Sequence, residues 1–362
     1  MKILAFISKI STTEFAVFDD GVQVLSRSVE HPAPALHTCL EPKEEGQFRL
    51  NAMLEVLDEE TDIKLVDMIA TQVECRDLPC GIYLIDRHLV DCFSTGSLEE
   101  NHQRAAIFMA YTLAEFINDS YDAECIPIAV EPAIENEIMR DAVLSGLKGI
   151  TRTPVFHFFS QRAAASIFAW ENNKGLNDIR LIIAHLGTEI SVGAYDRGRI
   201  IDSNSPLDGE GPFSPSTSGT LPTDELVDLC FSGKYDMDEM LAKVTTEGGL
   251  TAHLGSWKLS AVQEAWREGD ERTRLLVRAM AGRVAKEIGA RAAALRGMAE
   301  EIILTGPWAV FTEFTDEIES RVRWIASTRT CLYGNEFFML ANAATEIFRG
   351  NIKLFLYDKN NR

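Results

Sequence analysis

The chain lacks most of the signals that would take it outside ordinary globular chemistry. No stretch approaches 18 uninterrupted apolar residues, so no membrane-spanning helix is expected. Cysteine is sparse: 7 residues, odd in number, scattered, with no Cys-x-x-Cys pair. That argues against a disulfide framework or a zinc site and fits a reducing cytoplasm. Positive charge is in deficit, 35 Lys and Arg against 55 Asp and Glu, for a formal charge of −20. Such a surface repels nucleic acid and anionic lipid, so neither is an expected partner. A local pocket for a small phosphate ligand remains compatible with it. A Walker A sequence is missing, and no Gly-x-Gly-x-x-Gly follows a strand, which leaves P-loop and Rossmann folds unsupported. The opening MKILAFISKISTTEFAVFDD is apolar for only a few residues, too few for a signal peptide.

What is present is a balanced globular composition, 46% hydrophobic and 25% charged over 362 residues, enough for two domains. The strongest pattern is a repeat. Lys2–Ile7 is an apolar run, Ser8–Thr13 a polar stretch, Phe15–Phe18 a second strand, Asp20-Gly21 a turn and Val22–Val29 a third strand. Almost half the chain later the series returns. Ile179–His185 is the run, Leu186-Gly187-Thr188-Glu189 the loop, Ile190–Tyr195 the second strand, Arg197-Gly198 the turn and Arg199–Ser203 the third strand. Helical spacing follows over Leu98–Phe116, Gln161–Trp170 and the Ala-rich Arg272–Leu295, which Gly297 stops. Glu301–Thr305 reads as a buried strand and Glu336–Phe348 as a final helix. Strands alternating with helices predict an α/β class. With no low-complexity linker, two packed duplicated domains facing a cleft are expected.

A tight loop between two strands presents consecutive backbone N–H groups, which suits phosphate when the side chains are small. Two ordinary β-turns explain the same spacing, and geometry alone leaves both readings open. Among other polar residues, His157 at a helix start reads as a core or capping histidine, and His102 and His253 have no nameable partners. Asp236, Asp238 and Glu239 read as a solvated helix start, since the spacing of a calcium loop is missing. Met237 and Met240 read as packing residues. Tyr83 and Phe213 fit either packing or the wall of an acyl pocket.

A longer signal runs from His185-Leu186-Gly187 through Ile190–Ala194, Gly198–Asp202, Leu207-Asp208-Gly209-Glu210-Gly211-Pro212-Phe213-Ser214-Pro215 and Ser218-Gly219-Thr220-Leu221-Pro222. It continues through Leu229–Tyr235, Gly248-Gly249-Leu250, Leu254-Gly255, Glu268–Glu271, Ala285–Gly289 and Ile302–Gly306. In these segments the sequence resembles the butyrate kinases, of the acetate and propionate kinase group within the actin-like ATPase superfamily. Weaker likeness covers Ala16–Phe18 and Phe156-His157 with Gln161.

The resemblance implies two duplicated actin-like (ribonuclease H-like) ATPase domains around a central cleft. The first would be residues 1–170, with 336–362 packing back on it, and the second 171–335. The implied reaction is phosphoryl transfer between ATP, with Mg²⁺, and a short-chain carboxylate such as butyrate. A homodimer is implied as well. Carried over position by position, His185, Asp208 and Glu131 are the catalytic candidates. Ser11, Thr12, Thr13, Gly187, Thr188, Gly211 and Gly306 are the nucleotide-binding candidates, and Glu336 is the metal-associated acid.

Several positions depart from the family pattern. The family's opening Asn-Pro-Gly-Ser-Thr-Ser-Thr-Lys is here Ile7-Ser8-Lys9-Ile10-Ser11-Thr12-Thr13-Glu14, and His-Leu-Gly-Gly-Gly ends in Thr188-Glu189. Two family arginines align with Thr71 and Thr217, and an adenine-pocket Asp with Lys258. Pro307 follows Gly306 where a second glycine is usual, removing a backbone donor. A carboxylate about 4 Å from a phosphate oxygen costs about 4 kcal/mol at an effective dielectric of 20 unless a cation intervenes. Two functional readings follow. One is an active acyl kinase, with Lys9 or Arg76 as substitute cations. The other is a catalytically impaired member acting as a ligand-binding or regulatory partner.

Overall fold

The computed structural model describes residues 1–9, 11–36, 38–39, 41–73, 81–94, 101–130, 138–152, 157–331 and 336–357. The chain divides into two compact units: Met1–Ile134 with Glu336–Arg362, and Glu135–Asn335.

Unit 1 is built on strands β1 (Lys2–Ser8), β2 (Thr12–Asp19), β3 (Val22–Glu30), β4 (Val66–Gln72), β5 (Ile82–Leu84) and β6 (Ile126–Val130), in the spatial order β3-β2-β1-β4-β6-β5. The β1–β2–β3 meander is antiparallel, whereas β1, β4 and β6 run parallel. Unit 2 holds β7 (Arg180–Leu186), β8 (Ile190–Asp196), β9 (Arg199–Ser203), β10 (Glu301–Thr305) and β11 (Ser327–Cys331), in the order β11-β10-β7-β8-β9. Here too the meander β7–β8–β9 is antiparallel and β7, β10 and β11 are parallel. Five strands therefore correspond one to one in order and direction, so the repeat read in the sequence is a repeat of topology.

The turns explain why the meanders form where they do. Asp20 and Gly21 have φ of 46° and 81°, and Arg197 and Gly198 have 53° and 74°. Two successive left-handed residues match the twist of a two-residue hairpin. At Gly198 the requirement is also steric, since a Cβ would lie 2.6 Å from the Leu176 carbonyl oxygen.

One expectation shifts. The polar stretch Ser8–Thr13 is strand at both ends: Ser8 ends β1, Thr12 and Thr13 open β2, and the Lys9 amide donates to the Thr12 carbonyl at 2.8 Å. Threonine is β-branched and suits a pleated strand, so the pairing advances into the polar run and shortens the loop.

The central strands of each sheet are buried on both faces, whereas β3 at one edge is largely exposed. In unit 1, Leu4, Phe6, Phe15 and Val17 pack with Met53 and Leu57 of the helix Pro42–Glu60 and with Ile107 and Leu113 of the helix Asn101–Tyr121. Ile3 and Ala5 alternate to the opposite face and are equally buried. The C-terminal helix Glu336–Phe348 returns to unit 1 and packs on β1 and β4. In unit 2, Ile182, Ala184 and Val192 pack against Val277, Met280, Val284 and Ile288 of the helix Glu271–Ala294. The helix Phe158–Glu171 packs on β7 and β10. Among the described residues, no helix is long and apolar enough to cross a membrane.

Candidate active site

In unit 2 the site is assembled where parallel strands end. His185 lies one residue before the end of β7, paired with Ser191 on β8 and Thr305 on β10, and is buried. Its ring stacks on His157, with centroids 3.9 Å apart and planes 12° from parallel. His157 occupies the N-cap position of the helix Phe158–Glu171 but caps nothing with its side chain. Its Nδ1 instead shares a 3.0 Å hydrogen bond with Ser191 Oγ, to which Gln161 Nε2 also donates at 2.9 Å. The helix thus fixes one imidazole over another. Burial pushes the pKa of His157 below the ordinary range, while the nearby Glu189 carboxylate pulls it back up. A neutral His157 at pH 7 also avoids placing two imidazolium charges face to face.

The loop after His185 is tight. The Gly187 amide donates to the Glu189 carbonyl at 3.1 Å, and a Cβ on Gly187 would lie 3.0 Å from His185 Nε2. Gly306, after β10, has φ +91°, and a Cβ there would stand 2.7 Å from the Leu186 carbonyl oxygen. Only glycine lets the two loops approach this closely. The Thr188 carbonyl is held by Ser214 Oγ at 2.5 Å, Ser216 Oγ at 3.0 Å and the Ser216 amide at 3.1 Å. Thr217 is buried and shares a hydrogen bond with Ser214 Oγ, so no cation stands at its position. Glu189 accepts from Thr188 Oγ1 at 2.7 Å and lies 3.9 Å from His157 Nε2.

Asp208 is exposed and accepts from Ser205 Oγ at 2.8 Å, just before the left-handed Gly209. The Gly209-Glu210-Gly211 run that follows is pinned from below. Arg152 donates to Glu210 at 2.7 Å, to the Ser203 carbonyl at 2.7 Å and to Asp202 at 3.2 Å, while Asp202 also pairs with the buried Arg291. Gly211 donates its amide to Thr220 Oγ1 at 3.0 Å, closing the loop that follows.

Unit 1 presents a different arrangement. Ser11 lies in the turn and is exposed, and Thr12 is half-buried. Thr13 is fully buried, its hydroxyl sharing a 2.8 Å hydrogen bond with His31 Nε2. Beneath it, fully buried Arg49 donates to the Thr12 carbonyl at 3.1 Å and pairs with Glu45 at 2.7 Å. Burial, with Arg49 nearby, lowers the His31 pKa to about 4. Lys9, a candidate substitute cation, pairs with Glu14 at 2.9 Å. Thr71, at the position of the other family arginine, is buried at the end of β4. Glu131 and Arg76 lie outside the described residues. Glu336 stands half-buried in the first turn of the C-terminal helix. Among the described residues, no group of three or more His, Cys, Asp or Glu is placed to hold a metal ion. Structure therefore gathers His185, Gly187, Thr188 and Gly306, adds His157, and leaves Thr13 facing inward.

Comparison with known proteins decides the family. Residues 147–314 match the profile of the acetokinase family. The chain is 34% identical to butyrate kinase 2 of Clostridium acetobutylicum over 351 residues, covering 96% of this chain and 97% of that one. This chain belongs to the acetokinase family. Its fold is also that of solved acetokinase structures at low identity. The acetate kinase of Porphyromonas gingivalis matches with a TM-score of 0.75 at 15% identity, covering 96% of this chain and 99% of that one. A propionate kinase from Francisella tularensis matches with 0.73 at 14% identity, covering 94% and 98%. The architecture of this family member is the two-unit actin-like α/β ATPase fold.

Proposed function

We propose that this protein is an acyl kinase transferring a phosphoryl group between ATP and a short-chain carboxylate such as butyrate. The observation that carries the reading is the stacked His157–His185 pair at the mouth of the Gly187–Glu189 loop, in a chain 34% identical to a butyrate kinase along nearly its whole length. Phosphoryl transfer asks little covalent chemistry of the protein; it asks for position and for stabilised charge. Among the described residues no backbone acceptor takes the Thr188 and Glu189 amides, which leaves two donors at the loop tip for a phosphate. His185, at the root of that loop, would donate to the transferring group, and His157 would hold its ring orientation.

The donors present fit a nucleotide that arrives with its own Mg²⁺. Magnesium keeps several waters and binds through one or two carboxylates plus substrate phosphates, so no protein cage is required. Within unit 2, Glu189 is the carboxylate that would face it; the ion would supply charge compensation. This resolves the otherwise unfavourable carboxylate at Glu189, whose charge would meet the cation before it meets the phosphate. The free thiols of Cys39, Cys92, Cys125, Cys230 and Cys331 fit a cytoplasmic setting. A homodimer is part of the same reading, and sedimentation velocity tests it.

The decisive experiment is calorimetry with Mg-ATP followed by an acyl-hydroxamate assay across C2 to C6 acids. Saturable nucleotide binding and turnover peaking near C4 are expected. Absence of nucleotide binding at millimolar ATP by the folded protein would overturn the reading.

A further inference from the structure

The segment Gly211–Pro222 has two faces. One, through Ser214 and Ser216, grips the Thr188 carbonyl, with Thr217 bonded to Ser214 behind them. The other borders a cavity of about 310 Å³ that no candidate for the phosphoryl chemistry except Gly211 touches. That volume is at the lower end of small-molecule sites.

The lining has two characters. Phe213, Leu221 and Pro222 supply an apolar wall, while Lys243, His253 and Arg283 supply basic groups from three separate helices. In a chain with 20 more acids than bases such a gathering is against the trend. The one acid in ion-pair reach of the three is Glu247, exposed and 3.7 Å from Lys243, among the described residues. Lys243 is also held over the Tyr235 ring at 4.8 Å. Arg283 is exposed and enters no ion pair among the described residues.

The cavity is preformed. A Cβ on Gly249 would lie 1.8 Å from the Ser214 carbonyl oxygen, and one on Gly248 would lie 2.4 Å from the Ser218 amide nitrogen. These glycines let the floor press against the gripping segment, which rigidifies both. Cationic groups around a rigid hollow with an apolar wall suit an anion with an apolar body. Three bases favour the dianionic phosphate over a carboxylate.

We propose that this cavity is a second anion site, taking a small organic phosphate whose apolar part rests on Phe213, Leu221 and Pro222. The proposal does not depend on the acyl-kinase reading. Because the cavity floor and the Thr188 clamp share one segment, its occupant also bears on the order of the phosphate loop.

Titration calorimetry with phenyl phosphate tests it. Saturable binding is expected, stronger than that of inorganic phosphate or benzoate. It should weaken about tenfold in the double variant Arg283→Gln with Lys243→Met, and stay unchanged in His185→Asn. His253→Gln is an independent variant expected to weaken binding several-fold. Matching thermal midpoints establish that each variant is folded. No saturable binding at millimolar phenyl phosphate overturns the proposal. So does binding indifferent to all three basic positions, or binding lost in His185→Asn and retained in the double variant.

Discussion

The β1–β2 turn and the β7–β8 turn occupy the same place in two sheets of matching topology, yet they are built on opposite plans. In unit 2 the glycines let two loops approach closely, and the His185 and His157 rings stack at the root of the first of them. In unit 1 the chemistry has gone inward: Thr13, His31, Arg49 and Glu45 form a buried polar cluster under the turn, and Lys9 is neutralised by Glu14. The frame is shared, whereas side-chain burial leaves one copy of the loop with bare backbone donors and the other packed on a polar cluster. On the proposed reading the unit 1 turn is a support and the unit 2 turn the edge that meets phosphate.

That contrast is broken most forcefully at Arg49. Arg49→Leu leaves Glu45 buried without its partner, and a loss of about 3–5 kcal/mol in unfolding free energy is expected from urea denaturation. Replacing Glu45 with Leu as well should recover most of it, since the uncompensated charge is gone. A single variant as stable as the parent would refute the structural role.

His31 gives the next largest effect. Its folded pKa of about 4 lies below the unfolded value near 6.5, so the folded protein holds it neutral. Its contribution is complete above pH 6.5 and is lost as pH falls towards 4, by about 3 kcal/mol. In His31→Gln, stability measured by urea melts at successive pH values should fall less steeply over that window. The depressed His157 acts in the same direction.

In unit 2, His185→Asn should lower kcat about a hundredfold with little change in thermal midpoint, as expected for loss of one donor to the developing charge. An unaltered kcat would move the chemistry elsewhere. The smallest effect sharpens the comparison rather than breaking it. Glu189→Gly removes the carboxylate proposed to face the ion and should raise the KM for Mg-ATP by up to about tenfold. A lower KM would take Glu189 away from the ion and leave it as a plain repulsion of the phosphate.

Much of the frame was legible because it is written locally. Asp20-Gly21 and Arg197-Gly198 announce their hairpins by backbone chemistry alone, and the alternation of strands with Ala-rich helices follows from periodicity. The candidate site was legible where it is contiguous, at His185–Glu189, and through the family resemblance at Gly306. His157 escaped because its partners Ser191 and Glu189 are distant in sequence and meet it only across the packed helix Phe158–Glu171. Glu45 and Arg49, four residues apart on a helix, look like a surface ion pair, yet packing buries them beneath β2. Thr13 looked like a ligand-facing hydroxyl because the resemblance placed it in a phosphate loop, while what buries it, pairing with Ser8 and a hydrogen bond to His31, comes from distant partners.

The return of Glu336–Phe348 to the first sheet sets an order of events on the ribosome. Unit 2, Glu135–Asn335, is one uninterrupted stretch that can fold as it emerges. Unit 1 begins first and finishes last, since the helix covering one side of β1 and β4 is synthesised only after residue 335. A nascent chain therefore carries an open, apolar sheet face for most of its synthesis. A stop codon near the end of the gene would damage the beginning of the protein and leave its middle intact.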